Sequence, residues 1–316
     1  MVREEEILGL FPDFFRNLWM KTVKNADSLQ EIRLRSGSPI MLLMDNREYF
    51  LTEKGDLTNE IHKAVCINRK ELDGVLSHIC HYSIYAYEDE LRQGFLTVPG
   101  GHRIGVAGQV VVGKEGSIKT VKHVSYLNIR IAHEIIGVAD KVIPFFYENG
   151  ELLSGMIISP PGCGKTTLLR DIVRQVSNGN EYGQGCCVGV VDERSEIAGS
   201  YMGTAQNNIG IRTDVLDGCP KAAGMMMLSR SMSPKVVAVD EIGDAEDVHA
   251  LLQVLRCGSS LIVTVHGSCM EEIRRKPYVK DLLAQKQFKR FVVLGKKAGK
   301  CIVKGIYNEE YALCSK

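Results

Sequence analysis

Ser159-Pro160-Pro161-Gly162-Cys163-Gly164-Lys165-Thr166-Thr167 follows the apolar run Met156-Ile157-Ile158 and precedes Leu168, Leu169, Ile172, Val173 and Val176, spaced along one side of a helix. Apolar strand, glycine-bearing turn, then helix is the setting of a phosphate-binding loop. Glycines let successive backbone N–H groups turn inward around an anion, and the helix N-terminus adds partial positive charge. In this reading Pro161, Gly162, Cys163, Gly164, Lys165, Thr166 and Thr167 cradle the phosphates of a nucleotide. Lys165 reaches the β- and γ-phosphates, and the Thr166 hydroxyl takes a position on Mg²⁺. Ser159 stands where the pattern has its first glycine, and serine has a narrower φ range.

Apolar strands alternate with helices on both sides of this loop's helix. Strands are expected at Val188-Gly189-Val190-Val191, at 236–239 and at 261–265, with helices after Pro220, from Asp244 and after Ser268. Strand–helix alternation with continuous β-branched runs implies a parallel sheet covered on both faces. Three of these strands end in groups able to carry chemistry, at the edge where an open α/β sheet holds its ligand. Val236-Val237-Ala238-Val239 delivers Asp240 and Glu241: Asp240 to hold Mg²⁺, Glu241 to orient and deprotonate a water. The run 261–265 delivers His266, which either senses the γ-phosphate or is a hydrogen-bonded structural histidine. Val190-Val191 delivers Asp192-Glu193-Arg194-Ser195-Glu196. Asp192 is a candidate for the metal shell and Glu193 for the water, or the cluster is a surface loop of internal ion pairs. Charge developing on the γ-phosphate needs a further cation. Arg212, Arg230, Arg103 and Arg130 are the candidates, each with surface ion pairing as its alternative.

The first half has another character. Gln30-Glu31-Ile32-Arg33-Leu34-Arg35 alternates, turns at 36–39 into the apolar run 40–44, and turns again at Asp45-Asn46, which predicts an antiparallel meander. Asn68 with Glu71 is a capping pair for a helix carrying Leu72, Val75, Leu76 and Ile79 on one face. Pro99-Gly100-Gly101 separates two further strands, and 127–131 is one more. The reading is α+β for 1–137 and α/β for 138–316.

With 316 residues, 45% of them hydrophobic and 24% charged, the chain is a globular protein of about two domains at ~150 residues each. No apolar run approaches the ~20 residues of a membrane-spanning helix. The start, Met1-Val2-Arg3-Glu4-Glu5-Glu6, lacks the apolar stretch of a signal peptide, so the expected compartment is the cytoplasm. The ten cysteines show no C-x-x-C pair, and buried reduced thiols are expected, with Cys186 and Cys187 in a strand. His78-Ile79-Cys80-His81 lacks the spacing of a zinc site, and no structural metal is expected. Net charge is +1, but between Arg274 and Lys304 eleven Lys or Arg face one acid, Asp281. That block is either a solvated face or a surface for an anionic partner.

Taken in order, the loop at 159–166, the acids at 192–196, the strand and acids at 236–241 and the segment 257–266 resemble the secretion-superfamily ATPases, ring-forming RecA-type motors of secretion systems and type IV pili. They look like that family's Walker A loop, acidic box, Walker B strand and histidine box. Asp240 stands where the family usually has a glycine, and Ser259 where it usually has the first of two histidines. The resemblance implies a RecA-type P-loop NTPase domain with a parallel sheet, preceded by a smaller α+β domain. It also implies ATP hydrolysis with ATP and Mg²⁺, and a homo-oligomer, expected as a hexamer. The stretches 190–199, 212–217 and 238–243 are similar to a sporulation branch of that superfamily. This narrower likeness implies peripheral docking on membrane-protein components of the channel between mother cell and forespore. Two other readings stay open, a nucleic-acid motor on the same core and a nucleotide-gated scaffold with little turnover. Nucleic acid is not the expected partner, because only Tyr278, Phe288 and Phe291 interleave the basic block.

Overall fold

The computed structural model describes residues 4–113, 116–297 and 300–315, so Met1-Val2-Arg3 of the acidic start lies outside the described residues. Contacts divide the chain into two units: Met1–Glu134 with Gly199–Gln206, and Ile135–Ala198 with Asn207–Lys316. The segment Gly199–Gln206 lies inside the second half by sequence but counts with the first unit.

In the first unit, strands β1 (Leu29–Arg35), β2 (Met41–Met44), β3 (Arg47–Leu51), β4 (Leu57–Thr58), β5 (Phe95–Val98), β6 (His102–Val112) and β7 (Ile118–Arg130) form one antiparallel sheet in the order β4-β3-β2-β1-β7-β6-β5. The predicted meander is present, with Asp45 and Asn46 both in the left-handed region (φ 48° and 60°), as a two-residue hairpin turn requires. Leu29, Ile32 and Leu34 of β1 point into a core shared with Phe11, Phe15 and Trp19. Helix α1 (Arg69–Ile79) starts with the expected capping box between Asn68 and Glu71 and buries Leu72, Val75, Leu76 and Ile79. The cluster at 78–81 does not converge. His78 Nε2 meets the Gly9 carbonyl, His81 Nε2 meets the Tyr201 hydroxyl, and burial pushes the Cys80 thiol up to about 11.

His102, at the start of β6, is fully buried. Its Nδ1 accepts the Ala132 N–H, which places the proton on Nε2, and Nε2 has no partner among the described residues. Burial, with His133 nearby, lowers its pKa to about 4. The unfolded chain binds the proton first, so stability is complete above pH 6.5 and is lost as pH falls towards about 4. Wild-type protein is expected to lose about 2 kcal/mol between pH 7 and pH 5 from this group. Urea midpoints of His102→Gln should fall less over that interval; parallel losses in both proteins would contradict the assignment.

The second unit is built on strands β8 (Gly155–Ser159), β9 (Val188–Asp192), β10 (Thr213–Asp217), β11 (Val236–Val239), β12 (Ser260–His266), β13 (Arg290–Lys297), β14 (Lys300–Asn308) and β15 (Leu313–Ser315). They lie in the order β10-β9-β11-β12-β8-β13-β14-β15, parallel as far as β13 and antiparallel after it. Helices α2 (Lys165–Asn178), α3 (Lys221–Ser231), α4 (Ala245–Arg256), α5 (Met270–Arg275) and α6 (Pro277–Ala284) complete the unit. Every residue of β8, β9 and β11 is buried, as in a parallel sheet covered on both faces.

The expectation for the cysteines fails here. Cys186 and Cys187 both lie just before β9 rather than in a strand, and Cys187 is exposed, with its carbonyl accepting the Lys235 and Val236 N–H groups at the sheet's amino edge. Of the ten thiols, Cys80 and Cys163 are buried, whereas Cys66, Cys187, Cys257, Cys301 and Cys314 are exposed. The basic block keeps all eleven of its Lys and Arg side chains at least partly exposed. It spans α5, α6, β13 and β14, and Phe291, Val292 and Val293 of β13 are core residues beside the phosphate-loop strand.

Candidate active site

The loop leaves β8 and enters α2 with left-handed backbone at Gly162 (φ 64°) and Gly164 (φ 79°). An L side chain is strained at such φ, so glycine is needed at these two positions. Ser159 is the last residue of β8, outside the positive-φ positions, and its hydroxyl donates to the Pro160 carbonyl. Serine therefore substitutes for the first glycine without strain.

Between β8 and β11 lies β12. That order lets one side chain of the middle strand reach both acids. Thr264, fully buried, donates through Oγ1 to Asp240 Oδ1 and accepts the Glu241 N–H at 2.8 Å. Thr166 Oγ1 donates to the other oxygen, Asp240 Oδ2, at 2.5 Å. A hydroxyl and a carboxylate in contact at a helix N-terminus are the hard oxygen ligands that Mg²⁺ takes alongside phosphate and water, so this pair fits the ion. Lys165 Nζ is 3.3 Å from Glu241 Oε2 and 4.0 Å from Asp240 Oδ1.

Glu241 adopts a left-handed conformation (φ 59°). Its N–H is held by Thr264 and its carbonyl accepts the Lys221 ammonium at 3.0 Å, which offsets the backbone strain. Burial alone raises its carboxyl pKa, but Lys165, Arg194 (3.4 Å) and Lys221 outweigh it and hold the group below the usual carboxylate range. Lys221 also pairs with Glu193 (3.3 Å) and Asp247 (3.4 Å). Asp247 accepts the Gly243 N–H, and Asp244 caps α4 by accepting the Asp247 N–H. The loop after β11 is thus tied at both ends.

The acids after β9 take other positions than the sequence suggests. Asp192 Oδ1 accepts the Glu196 N–H, and Oδ2 accepts those of Ile197 and Ala198, at 2.8–3.0 Å. Both oxygens are spent on shaping the loop. Burial outweighs these bonds and raises the carboxyl pKa. Glu193 faces Lys221. His266 pairs in register with Ser159, which brings its backbone to the start of the loop, but its imidazole is exposed. Ser259 lies at the opposite end of β12, donating to the Pro234 carbonyl.

Neither of the two candidate arginines of the second unit, Arg212 and Arg230, is brought to the site. Arg212 donates to the Ser177 and Asn178 carbonyls at the far end of α2, beside a cavity of about 1080 Å³ at the amino ends of the strands. Arg230 is exposed in the last turn of α3, whose first residue, Lys221, is the one near Glu241. Arg103 and Arg130 belong to the first unit, Arg103 over the Phe95 ring and Arg130 beside Glu31. Besides Lys165, the cations Lys221 and Arg194 reach the site; neither was assigned a role from the sequence, nor was Thr264.

A sequence profile of the family described as "Sporulation stage III, protein AA" matches residues 1–313. The chain is 39% identical over 306 residues to "Stage III sporulation protein AA" of Bacillus subtilis (strain 168), covering 96% of this chain and 95% of that one. Among solved structures the fold is similar to the ATPase DotB of Legionella pneumophila, with a TM-score of 0.60, 17% identity, and 95% and 81% of the two chains covered. It is also similar to the pilus retraction motor PilT with bound ADP, with a TM-score of 0.60, 15% identity, and 92% and 81% coverage. At these identities the two structures speak for the fold: an antiparallel β-sheet unit followed by a larger, mostly parallel α/β unit of RecA-type architecture.

Proposed function

The chain belongs to the stage III sporulation protein AA family, and from that premise we propose that it is an ATP-hydrolysing motor of the secretion-superfamily kind that powers or gates a membrane channel, the one between mother cell and forespore. The observation that carries this reading is the meeting of Thr166 with Asp240, and of Lys165 with Glu241, at the carboxyl ends of the central strands. Thr166 and Asp240 would hold Mg²⁺, which supplies positive charge to the β- and γ-phosphate oxygens. Lys165, released from Glu241, binds the same phosphates. Glu241 then accepts the proton of the water whose oxygen attacks the γ-phosphorus, and ADP leaves. Thr264 fixes both acids relative to the loop.

Arg212 and Arg230 are both remote from the site of their own chain. Arg194, by contrast, is brought to 3.4 Å from Glu241 by its own chain; the ring, expected as a hexamer, rests on the resemblance to the secretion-superfamily ATPases. Among the described residues no helix is long and apolar enough to cross a membrane. From the resemblance to the secretion-superfamily ATPases we assign the protein to the cytoplasmic face, docked on membrane-protein components.

The test is ATP turnover against protein concentration, with and without single-stranded DNA, using Lys165→Ala as the blank. Turnover per chain is expected to rise with concentration and to ignore DNA. Strong stimulation by DNA would instead favour a nucleic-acid motor. Turnover no higher than the blank at every concentration would leave a nucleotide-gated scaffold.

A further inference from the structure

Strand β13 pairs in parallel with β8, so its carboxyl end emerges beside the phosphate loop. Lys296 lies at that end. Its Nζ is 3.6 Å from the position a Cβ on Gly162 would occupy. Across the β13–β14 hairpin it pairs in register with Cys301, whose Sγ is 3.8 Å from the Gly162 carbonyl. The hairpin therefore lies on the loop itself, with an exposed ammonium over one of its two left-handed glycines.

The strand order says which phosphates this charge meets. In the order β11-β12-β8-β13, Glu241 follows β11 and Lys296 is next to last in β13, so the two flank the loop from opposite sides. With Glu241 as the base of the reading above, the attacked phosphorus would lie on its side of the loop, and the phosphates left after cleavage would lie towards Lys296. Resting on the nucleotide reading above, we propose that Lys296 binds the α- and β-phosphates common to ATP and ADP, and so retains the product. A lysine suits this role: a compact point charge on a flexible stem, needing no fixed bidentate geometry. It also gives part of the basic stretch 274–304 a specific place in the chemistry. Lys297 is the natural comparison, because adjacent residues of a strand point to opposite faces.

Fluorescent ADP and ATP analogues titrated onto the full chain with Mg²⁺ test this. Lys296→Ala is expected to weaken both nucleotides about tenfold, the low end for a charge-assisted bond at an exposed position. ADP should leave faster by a similar factor, while Lys296→Arg restores most of the affinity and Lys297→Ala stays within about twofold. Lys296 is exposed, so its replacement leaves the core untouched. A loss confined to ATP, no loss, or an equal loss in Lys297→Ala would each overturn the assignment while leaving the nucleotide site standing. Wild-type protein that binds neither nucleotide better than Lys165→Ala would overturn the nucleotide reading and this proposal together.

Discussion

Glu241→Gln is expected to lower ATP turnover about a thousandfold, the usual contribution of a positioned general base. Nucleotide affinity should fall by no more than about twofold, and ATP should bind slightly tighter if anything, because Lys165 no longer divides its charge with a carboxylate. The geometry supports both halves. The side chain at position 241 reaches Lys165 and Arg194 through its terminal oxygen only, and its backbone is held independently by Thr264 and Lys221. Glutamine preserves the shape and those backbone bonds but cannot accept a proton. Single-turnover hydrolysis, measured beside equilibrium binding, separates the two effects. If turnover were unchanged, Glu241 would not be the base and the motor reading would lose its central residue. If binding collapsed as well, the carboxylate would be serving the loop's structure instead.

What could be read from the chain was what its local pattern encodes. The phosphate loop, the buried strands around it and the capping box at Asn68 each depend on residues within about one turn or strand of one another, so they survive translation into structure. The N-terminal meander did so for the same reason: Asp45-Asn46 tolerates the left-handed turn that two antiparallel strands need. The strand 290–297 was hidden because its ends are lysine and arginine and its apolar centre is short, so the basic block masked a central member of the sheet. Thr264 could not be found in sequence. Inside an apolar strand, threonine reads as one more β-branched residue. Its role arises only because β12 lies beside β11, whose two following acids it holds. Lys221 and Lys296 were invisible for a related reason: their partners are 20 to 134 positions away, and a solvated lysine looks the same in sequence. The arginines failed in the opposite direction, since Arg212 is close to an acidic strand in sequence but is set at its amino end by the direction of β10.

Asp192 makes the sharpest separation between the reading of the sequence and that of the fold. As a metal ligand, its replacement by asparagine should raise the Mg²⁺ concentration needed for half-maximal turnover and leave stability nearly untouched. As a loop anchor it should do the reverse. The residue is 2% exposed, and its carboxylate accepts three backbone N–H groups from Glu196, Ile197 and Ala198. Alanine at this position leaves those donors to find water at a buried strand end. The expected cost is about 4 kcal/mol of unfolding free energy, from charge-assisted bonds lost and donors left unpaired. Asparagine should cost roughly half as much. Its carbonyl can still receive Ile197 and Ala198, which share Oδ2, while its amide nitrogen is turned against the Glu196 N–H. Denaturant midpoints of the two variants, set beside Mg²⁺ titrations of turnover for the asparagine protein, decide the matter. Stability falling in the order wild type, Asn, Ala at an unchanged Mg²⁺ requirement fits the anchor. A shifted Mg²⁺ requirement at wild-type stability would return Asp192 to the metal and require the loop 193–198 to open before hydrolysis.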